Sequence, residues 1–301
     1  MTQQRPPIFE RLEPGLRRVI ANNPSAMTYW GTNTYIVGEG KVALIDPGPL
    51  CAQHFQAVLA ALKPGETIES IFVTHSHRDH SQLARPFSEH ANAPVFALGD
   101  SLAGRSPLMA RLADCGLDCG GEGVDSTFQP DELIGDLDII DGPDWQLRVM
   151  WTPGHFGNHL VFGWQDALFT GDHVMGWASS LVSPPDGDLA AFMASTKRLA
   201  KRDDRIFYPG HGAPVTTPKD RLHWLIGHRQ QRNAQILSAM TAGPMDIPAI
   251  TRAVYQDLAP GLIPAAHRNV FAHLIDLVDT FQVAVEPQLD QSARYSLIQA
   301  A

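Results

Sequence analysis

The 301-residue sequence has few cysteines, no long apolar run and too few cations to balance its acids. The three cysteines, Cys51, Cys115 and Cys119, are too few and odd in number for a disulfide framework, so they indicate a reducing compartment. No apolar run approaches the ~18 residues that a membrane span needs. Residues 1–10 are polar and lack the apolar centre of a signal peptide. We therefore expect a soluble cytoplasmic protein without a membrane partner.

Cations are in deficit, with 23 lysines and arginines against 32 aspartates and glutamates, which gives a net charge of −9. Because nucleic-acid binding depends on neutralising phosphates, this charge argues against a general nucleic-acid-binding protein. Apolar residues make up 44 % of the chain, enough for a sizeable core. The length favours two domains of roughly 150 residues each. Histidine occurs 13 times, and the positions of these histidines carry most of the information.

The hydrophobic pattern changes character near residue 216. Before it, short apolar strands alternate with helices, and residues 33–38 and 41–45 read as a hairpin. After it, residues 219–240, 246–258 and 265–281 have helical spacing, and residues 282–297 fit a second hairpin. Helix, turn, helix and hairpin form the outline of a winged-helix module. We therefore predict a catalytic domain over residues 1–215 and a winged-helix-like helical domain over residues 216–301.

Four short segments rich in histidine and aspartate each follow an apolar strand, at residues 75–80, 152–155, 170–173 and 208–211. Ligands at the carboxyl ends of strands converge at one edge of a sheet, where loops can adopt coordination geometry. The candidate metal ligands are His75, His77, Asp79, His80, His155, Asp172 and His211. Imidazole and carboxylate groups suit zinc, which we expect first, and they also suit manganese and iron.

The spacing of these ligands predicts two divalent metal ions. Asp79 and His80 lie one short turn beyond His77, so they can face a second ion about 3.5–4 Å from the first. The two oxygens of Asp172 can bridge both ions. The grouping is His75, His77 and His155 for one ion, and Asp79, His80 and His211 for the other.

The four segments, in this order, resemble the metallo-β-lactamase superfamily, as does the Leu-Ile-Asp-Pro-Gly turn at residues 44–48. The similarity covers residues 16–215. It implies an α/β fold, an αβ/βα sandwich of two mixed sheets with helices outside and the metals at one edge. It also implies that Asp46 braces the metal-binding loop. The region after residue 211 is similar to the β-lactamase-like protein group that includes a mitochondrial endoribonuclease.

The site predicts metal-dependent hydrolysis. Two ions that share a water lower its pKa from about 15.7 toward neutrality, and the resulting hydroxide attacks a carbonyl carbon or a phosphorus. A metal then stabilises the developing oxyanion. Asp79 is the catalytic candidate, as a ligand and as a partner for the hydroxide proton. Water on the second metal or a histidine from a lid are alternatives for protonating the leaving atom.

Hydrolysis of a small ester, lactone or thioester is the favoured function, because the acidic net charge suits a small-molecule enzyme. The alternative is a single-strand endoribonuclease or other phosphodiesterase. It rests on the subgroup resemblance and on basic clusters at residues 197–205 and 221–232, whose default interpretation is a solvated face. No basic run with interleaved aromatics is present to stack bases. Hydrolysis of β-lactam antibiotics is disfavoured, because such enzymes are exported.

The C-terminal module has three alternative roles: packing, homodimerisation or a wall over the cleft. Its candidate recognition helix, residues 265–281, holds Arg268 against Asp276 and Asp279, a poor match to a DNA groove. Tyr29, Trp30 and Trp177 are candidates to line the substrate site, because their loops overhang the metals in the superfamily or follow Asp172.

Two further histidines lie close to predicted ligands. His159 can pack or line the cleft, and it stands with Asp46 as a supporting residue. His173 should point away from the metals, since neighbours on an extended chain face opposite sides. The four-residue spacing of Cys115 and Cys119 is interpreted as coincidence.

Overall fold

A computed structural model describes residues 4–117 and 123–298. Its larger sheet has seven strands that neighbour one another in chain order. They are β1 (Phe9–Glu13), β2 (Leu16–Ile20), β3 (Asn33–Val37), β4 (Lys41–Ile45), β5 (Thr67–Phe72), β6 (Val95–Ala97) and β7 (Glu132–Leu133). Strands β1 to β4 pair antiparallel, whereas β4 to β7 pair parallel, so the sheet is mixed. Cys119 lies outside the described residues.

The smaller sheet has five strands in the order β12-β11-β10-β9-β8. They are β8 (Ile139–Asp141), β9 (Gln146–Trp151), β10 (Leu160–Trp164), β11 (Ala167–Gly171) and β12 (Ile206–Pro209). Only the β11–β12 pair is parallel within this described sheet. Alternate side chains of the two sheets face each other and form one buried cluster, which includes Tyr35, Phe72, Leu147, Phe162 and Phe169.

Helices cover the outer faces of both sheets. Those before the module are α1 (Ala52–Ala60), α2 (Arg78–Ser81), α3 (Ala84–Ala91), α4 (Pro107–Asp114) and α5 (Leu189–Leu199). Val58 of α1 and Phe87 of α3 pack on the larger sheet. Leu199 of α5 packs on Val161 and Leu168 of the smaller sheet. The αβ/βα sandwich expected from the sequence is confirmed.

The C-terminal module consists of α6 (Pro218–Ala239), α7 (Ile247–Val254), α8 (Ile263–Asp279), β13 (Val283–Glu286) and β14 (Arg294–Leu297). The predicted hairpin is present, because β13 and β14 pair antiparallel. The core of the module includes Ile236, Ile250, Phe271, Leu274 and Tyr295. Across the described residues, no helix has the length and apolar character needed to cross a bilayer.

Helix α6 belongs to two cores at once. Leu222 and Leu225, in its first half, pack against the smaller sheet. Ile236, in its last turns, packs inside the module. Met109 and Leu112 of α4 join the module core from the other side, so α4 also supports the module. The module is thereby held against the sandwich along two elements.

Candidate metal centre

The four histidine- and aspartate-bearing segments begin where β5, β9, β11 and β12 end, and their side chains converge. Three groups of donors each have all their ligand atoms within 4.8 Å of one another. The groups are His75, His77 and His155; His75, His80 and Asp172; and Asp79, His80 and His211. All seven predicted ligands therefore come together, in the two sets expected from the sequence with Asp172 between them.

The first set is compact. Nε2 of His75 lies 2.8 Å from Nδ1 of His77, and that nitrogen lies 3.1 Å from Nε2 of His155. Ligand atoms bound to one tetrahedral ion at 2.0–2.1 Å are about 3.3 Å apart. The three imidazole nitrogens therefore have the spacing of ligands that share one ion.

The second set and Asp172 have similar spacing. Nε2 of His80 and Nε2 of His211 are 3.3 Å apart, and His211 Nε2 is 3.3 Å from Oδ2 of Asp79. Asp172 places Oδ2 at 3.2 Å from His211 and 3.7 Å from His155, and Oδ1 at 3.5 Å from His80. Its carboxylate thus touches both sets, which is the position of a bridging ligand.

For His155 and His211, hydrogen bonds on the far side of the ring fix the tautomer. Nδ1 of His155 donates to the carbonyl oxygen of Leu181 at 2.7 Å, and Nδ1 of His211 is 3.2 Å from the carbonyl oxygen of Gly31. Because a carbonyl can only accept, these nitrogens carry the proton. The Nε2 lone pair of each ring is therefore directed at the site, as metal binding requires.

The charges of the site suit a cation. Burial and neighbouring imidazoles lower the pKa of His75 well below its usual range and the pKa of His77 to about 3. Burial alone would raise the pKa of Asp172, yet His211 and His80 hold it well below its usual range. Oδ1 of Asp172 is buried with no hydrogen-bond partner in the described chain. Burial alone would lower the pKa of His80 and of His211, yet Asp172 and Asp79 raise both. The buried carboxylates therefore draw positive charge into the site, which suits divalent metal ions.

Asp46 and His159 support the site from behind. Asp46 accepts from the backbone nitrogen of Thr74 at 2.8 Å and lies 2.8 Å from Nδ1 of His80. Nε2 of His159 accepts from the backbone nitrogen of Asp172 at 3.2 Å, so it orients that residue instead of facing the cleft. His173 turns away, as alternation predicts, and its Nε2 lies 3.1 Å from the hydroxyl of Thr196.

A cavity of about 650 Å³ lies between the metal-ligand residues and the C-terminal module. His77, Asp79, His155, Asp172 and His211 line one side. The module contributes the side chains of Tyr255, Leu258, Leu262, Ala265, Ala266 and Asn269. Of the three roles considered for the module, a wall over the cleft is the one this arrangement shows.

Trp177 lines the cavity, and two further aromatic side chains pack next to it. The Tyr29 ring stacks on Trp177 at 4.8 Å between centroids and lies 4.7 Å from Trp30. The cavity surface on this loop comes from Met27 and Thr28. Tyr29 thus supports Trp177 from behind, and residues of both loops form the wall.

The basic cluster at residues 197–205 is distant from this cavity. Arg198 pairs with Asp136 at 2.9 Å, and Arg205 pairs with Asp166 at 3.0 Å. Arg205 lies just before the first residue of β12, and His211 lies just after its last residue. The 4 residues of the strand, roughly 13 Å in length, therefore separate Arg205 from His211. Among the described residues that line the cavity, Arg78 is the only lysine or arginine.

The expectation that Arg229 lies on a solvated face is wrong, since the residue is 1 % exposed. Its guanidinium donates to the carbonyl oxygen of Ser180 and, at 2.8 Å, to Oδ1 of Asn269. A sequence signal for this burial existed, because position 229 lies at helical spacing from the buried Leu225 and Ile236.

Two residues that support the metal ligands belong to no recognisable sequence motif. Thr32 donates from its hydroxyl to Oδ2 of Asp79 at 2.8 Å. Asn33 donates from Nδ2 to the carbonyl oxygens of Pro209 and Gly212, at 2.9 and 3.0 Å. These contacts hold Asp79 and the loop of His211, and only the folded chain brings them together.

Comparison with known proteins agrees with this geometry. Residues 27–211 match the model of the metallo-beta-lactamase superfamily. The chain belongs to this superfamily. Residues 247–291 match the beta-lactamase associated winged helix domain, so the winged-helix prediction is confirmed. The chain is therefore an enzyme of the metallo-β-lactamase fold, a hydrolase with a His/Asp cluster of the kind that binds divalent metals.

Relatives and solved structures extend the likeness over most of the chain. The Beta-lactamase-like protein 2 homolog of Drosophila melanogaster is 29 % identical over 296 residues, 95 % of each chain. An Atrochrysone carboxyl ACP thioesterase of Aspergillus fumigatus is 29 % identical over 242 residues, 78 % of this chain and 66 % of that protein. A beta-lactamase domain protein of Burkholderia ambifaria shares the fold, with a TM-score of 0.79 at 21 % identity over 96 % of this chain and 93 % of that one.

Proposed function

We propose that the protein is a metal-dependent hydrolase of a small ester, lactone or thioester, and that a thioester is the preferred class. The observation that carries this proposal is the cavity wall. Beside the ligand group it consists mainly of apolar side chains, among them Met27, Met175, Trp177 and Leu181. Such a wall suits an acyl group, because apolar contact replaces water around it. A relative named as a thioesterase supports the choice of thioester.

Seven side chains would hold two metal ions, for which zinc is the first choice and manganese and iron are alternatives. His75, His77 and His155 would hold one, Asp79, His80 and His211 the other, with Asp172 between them. Bound there, the ions would supply an activated water and a Lewis acid for the substrate carbonyl oxygen.

The chain's own residues orient the reacting groups. Asp79 lines the cavity with 26 % of its side chain exposed, so its carboxylate can accept a hydrogen bond from the attacking water. The hydroxyl of Thr32 donates to Oδ2 of Asp79 and fixes the carboxylate plane. Trp177 and Leu181 exclude bulk water beside this group, which strengthens the electrostatic interactions that act on the carbonyl.

RNA cleavage is disfavoured by the charge around the cavity. Binding a single strand needs cations along its track. Arg198 and Arg205 of the cluster at residues 197–205 pair with acids, and Arg78 is the only lysine or arginine among the described residues that line the cavity. A phosphodiester backbone would therefore meet an apolar wall without charge compensation.

The test is a parallel assay on protein of measured metal content. Acyl thioesters, esters, lactones and a fluorogenic single-stranded RNA are offered at low and moderate salt. We expect thioester cleavage that needs metal, changes little with salt and is lost in Asp79→Ala. RNA cleavage that falls steeply with salt, without thioester cleavage, would overturn the proposal.

Lys201→Ala provides a matched control. Lys201 lies in the basic cluster and is exposed. On the hydrolase proposal this substitution leaves kcat/KM for the thioester unchanged. If RNA is the substrate, the loss of one cation that contacts phosphate weakens RNA binding and lowers its salt dependence.

A further inference from the structure

The module side of the cavity contains two polar side chains among apolar ones. Tyr255, at the end of α7, and Asn269, on α8, line the cavity beside Leu258 and Leu262. Neither residue belongs to the metal-binding segments. Their hydrogen bonds decide what kind of chemical group this part of the wall can recognise.

Arg229 fixes the orientation of the Asn269 amide. The guanidinium is buried, lies 5.1 Å from the centre of the Phe192 ring, and donates from Nη1 to Oδ1 of Asn269 at 2.8 Å. An arginine has only donors, so the amide atom that faces it must be the oxygen. The amide nitrogen of Asn269 consequently points the other way, toward Tyr255.

Asn269 in turn orients the hydroxyl of Tyr255. Nδ2 of Asn269 donates to this hydroxyl at 3.2 Å, so the tyrosine oxygen is the acceptor in that bond. The ring is held from one face by Arg232, whose guanidinium lies 4.1 Å from its centre. The hydroxyl hydrogen of Tyr255 must therefore point away from Asn269.

Two hydrogens remain without a protein acceptor. Within the described chain, no hydrogen bond uses the hydroxyl hydrogen of Tyr255 or the second amide hydrogen of Asn269. This patch therefore offers two donor hydrogens, and its oxygens already accept from Arg229 and Asn269. A ligand group that matches it is an oxygen acceptor, because pairing two donors with an apolar group leaves both unsatisfied.

We propose that Tyr255 and Asn269 form a subsite for an oxygen acceptor on the acyl part of the substrate, a ketone or a carboxylate separate from the scissile carbonyl. The proposal rests on the proposed function and narrows its substrate class from acyl thioesters to oxygenated ones. Arg229 acts as a positioning residue, since it sets the orientation of Asn269 without lining the cavity.

The test compares thioesters of equal chain length: a saturated acyl chain, chains with an oxo group at successive carbons, and a chain that ends in a carboxylate. We expect one oxygenated chain to exceed the saturated chain in kcat/KM by about 3- to 10-fold, the range of one net hydrogen bond. A higher kcat/KM for an oxo chain would identify the acceptor as a ketone, and a higher kcat/KM for the carboxylate chain would identify it as a carboxylate.

Two variants address the donors. Tyr255→Phe removes the hydroxyl hydrogen. Asn269→Asp keeps the shape and the contact with Arg229, but its carboxylate attracts the Tyr255 hydrogen and removes both donors. We expect the ratio of oxygenated to saturated kcat/KM to fall about 3- to 10-fold in either variant. Tyr295→Phe is the matched control: its hydroxyl donates to the carbonyl oxygen of Asp290 inside the module, away from the cavity.

Binding of the free acids, which are the hydrolysis products, tests the subsite independently of the proposed hydrolase activity. Calorimetry on the metal-loaded protein compares oxygenated and saturated acids. Equal affinities, or a preference that survives in both variants, would overturn the subsite. A preference for the oxygenated acid without cleavage of any ester, lactone or thioester would support the subsite as an oxygen-acceptor site and reject the proposed reaction.

Discussion

The carboxylate of Asp46 lies 2.8 Å from Nδ1 of His80 and also accepts two hydrogen bonds from Thr74. Asp46 adopts a φ of +50°, a conformation that costs a non-glycine residue roughly 1–2 kcal/mol. These hydrogen bonds offset that cost. Through them, the end of β4 fixes both the end of β5 and the imidazole of His80.

Replacing Asp46 by Asn should weaken metal binding at the His80 set. The amide cannot accept from His80 and Thr74 together without presenting a donor to one of them. Loss of such an outer hydrogen bond typically lowers metal affinity by about 10- to 100-fold. Equilibrium dialysis with metal analysis measures the change. Asp203→Asn, an exposed control that pairs with Lys219, should bind like the parent protein; equal affinities for all three would refute the bracing role.

Replacing Asp172 by Ala should halve the bound metal and abolish turnover. The Asp172 carboxylate touches both sets of ligands, with Oδ1 near His80 and Oδ2 near His155 and His211. Its removal leaves each set without its shared anion. Metal analysis of the purified variant gives the stoichiometry. Full occupancy of both sites in this variant would rule out a bridge.

Replacing Asn33 by Leu should destabilise the loop of His211. The side chain is buried and supplies the hydrogens for the carbonyl oxygens of Pro209 and Gly212. A buried carbonyl left without a donor costs about 1–3 kcal/mol. Tyr35 and Arg18 also donate to these carbonyls, so we expect a loss near the lower end of that range.

Urea unfolding of the metal-loaded protein measures the Asn33 effect. Tyr35→Phe removes one donor to Pro209 and leaves Asn33 in place, so it should lower the free energy of unfolding by less. An Asn33→Leu protein as stable as the parent, with unchanged metal affinity, would show that the loop needs no such support.

His54 should make the protein less stable as the pH falls from 6.5 toward 4. Burial lowers its pKa to about 4, and its Nε2 lies 2.8 Å from the hydroxyl of Thr34. Between pH 6.5 and 4, His54 is protonated in the unfolded chain but stays neutral in the folded chain. Its contribution to the free energy of unfolding is therefore complete above pH 6.5 and is lost as the pH falls toward 4. The whole effect amounts to at most about 3 kcal/mol.

The His54 effect is measured as a difference, because other histidines titrate in the same range. The free energy of unfolding of the parent and of His54→Gln is compared at several pH values with metal in excess. The parent should show the steeper decline. His223→Gln, on the exposed side of α6, should keep the parent's slope; identical slopes in all three proteins would contradict the prediction.

Strands that are buried along their length were predictable from the sequence, and the half-exposed edge strands β1 and β8 were not. Leu160–Trp164 and Ala167–Gly171 are buried along their whole length, so their apolar runs stand out. Phe9–Glu13 and Ile139–Asp141 lie at sheet edges and are half-exposed, with charged residues between the apolar ones. Their place is decided by pairing with a neighbouring strand, which local sequence does not encode.

The metal ligands were predictable for a similar reason, since each follows a strand and the chemistry of imidazole and carboxylate is distinctive. Among the residues that orient them, Asp46 was expected from the family resemblance, whereas others were not. Thr32 and Asn33 have common side chains, and each acts through a partner far away in the chain. Tyr255 and Asn269 reach the cavity only because α6 holds the module against the sandwich.

The two sides of the cavity are synthesised in a fixed order, which affects how the site assembles. The last metal-ligand candidate is His211, whereas Tyr255 and Asn269 come later in the chain. Because domains tend to fold from the N-terminal end during synthesis, the nascent chain can assemble its reactive half before its discriminating half exists. Substitutions after residue 250 can consequently retune what is accepted while the reacting groups stay untouched, which leaves chemistry and choice of substrate free to evolve separately.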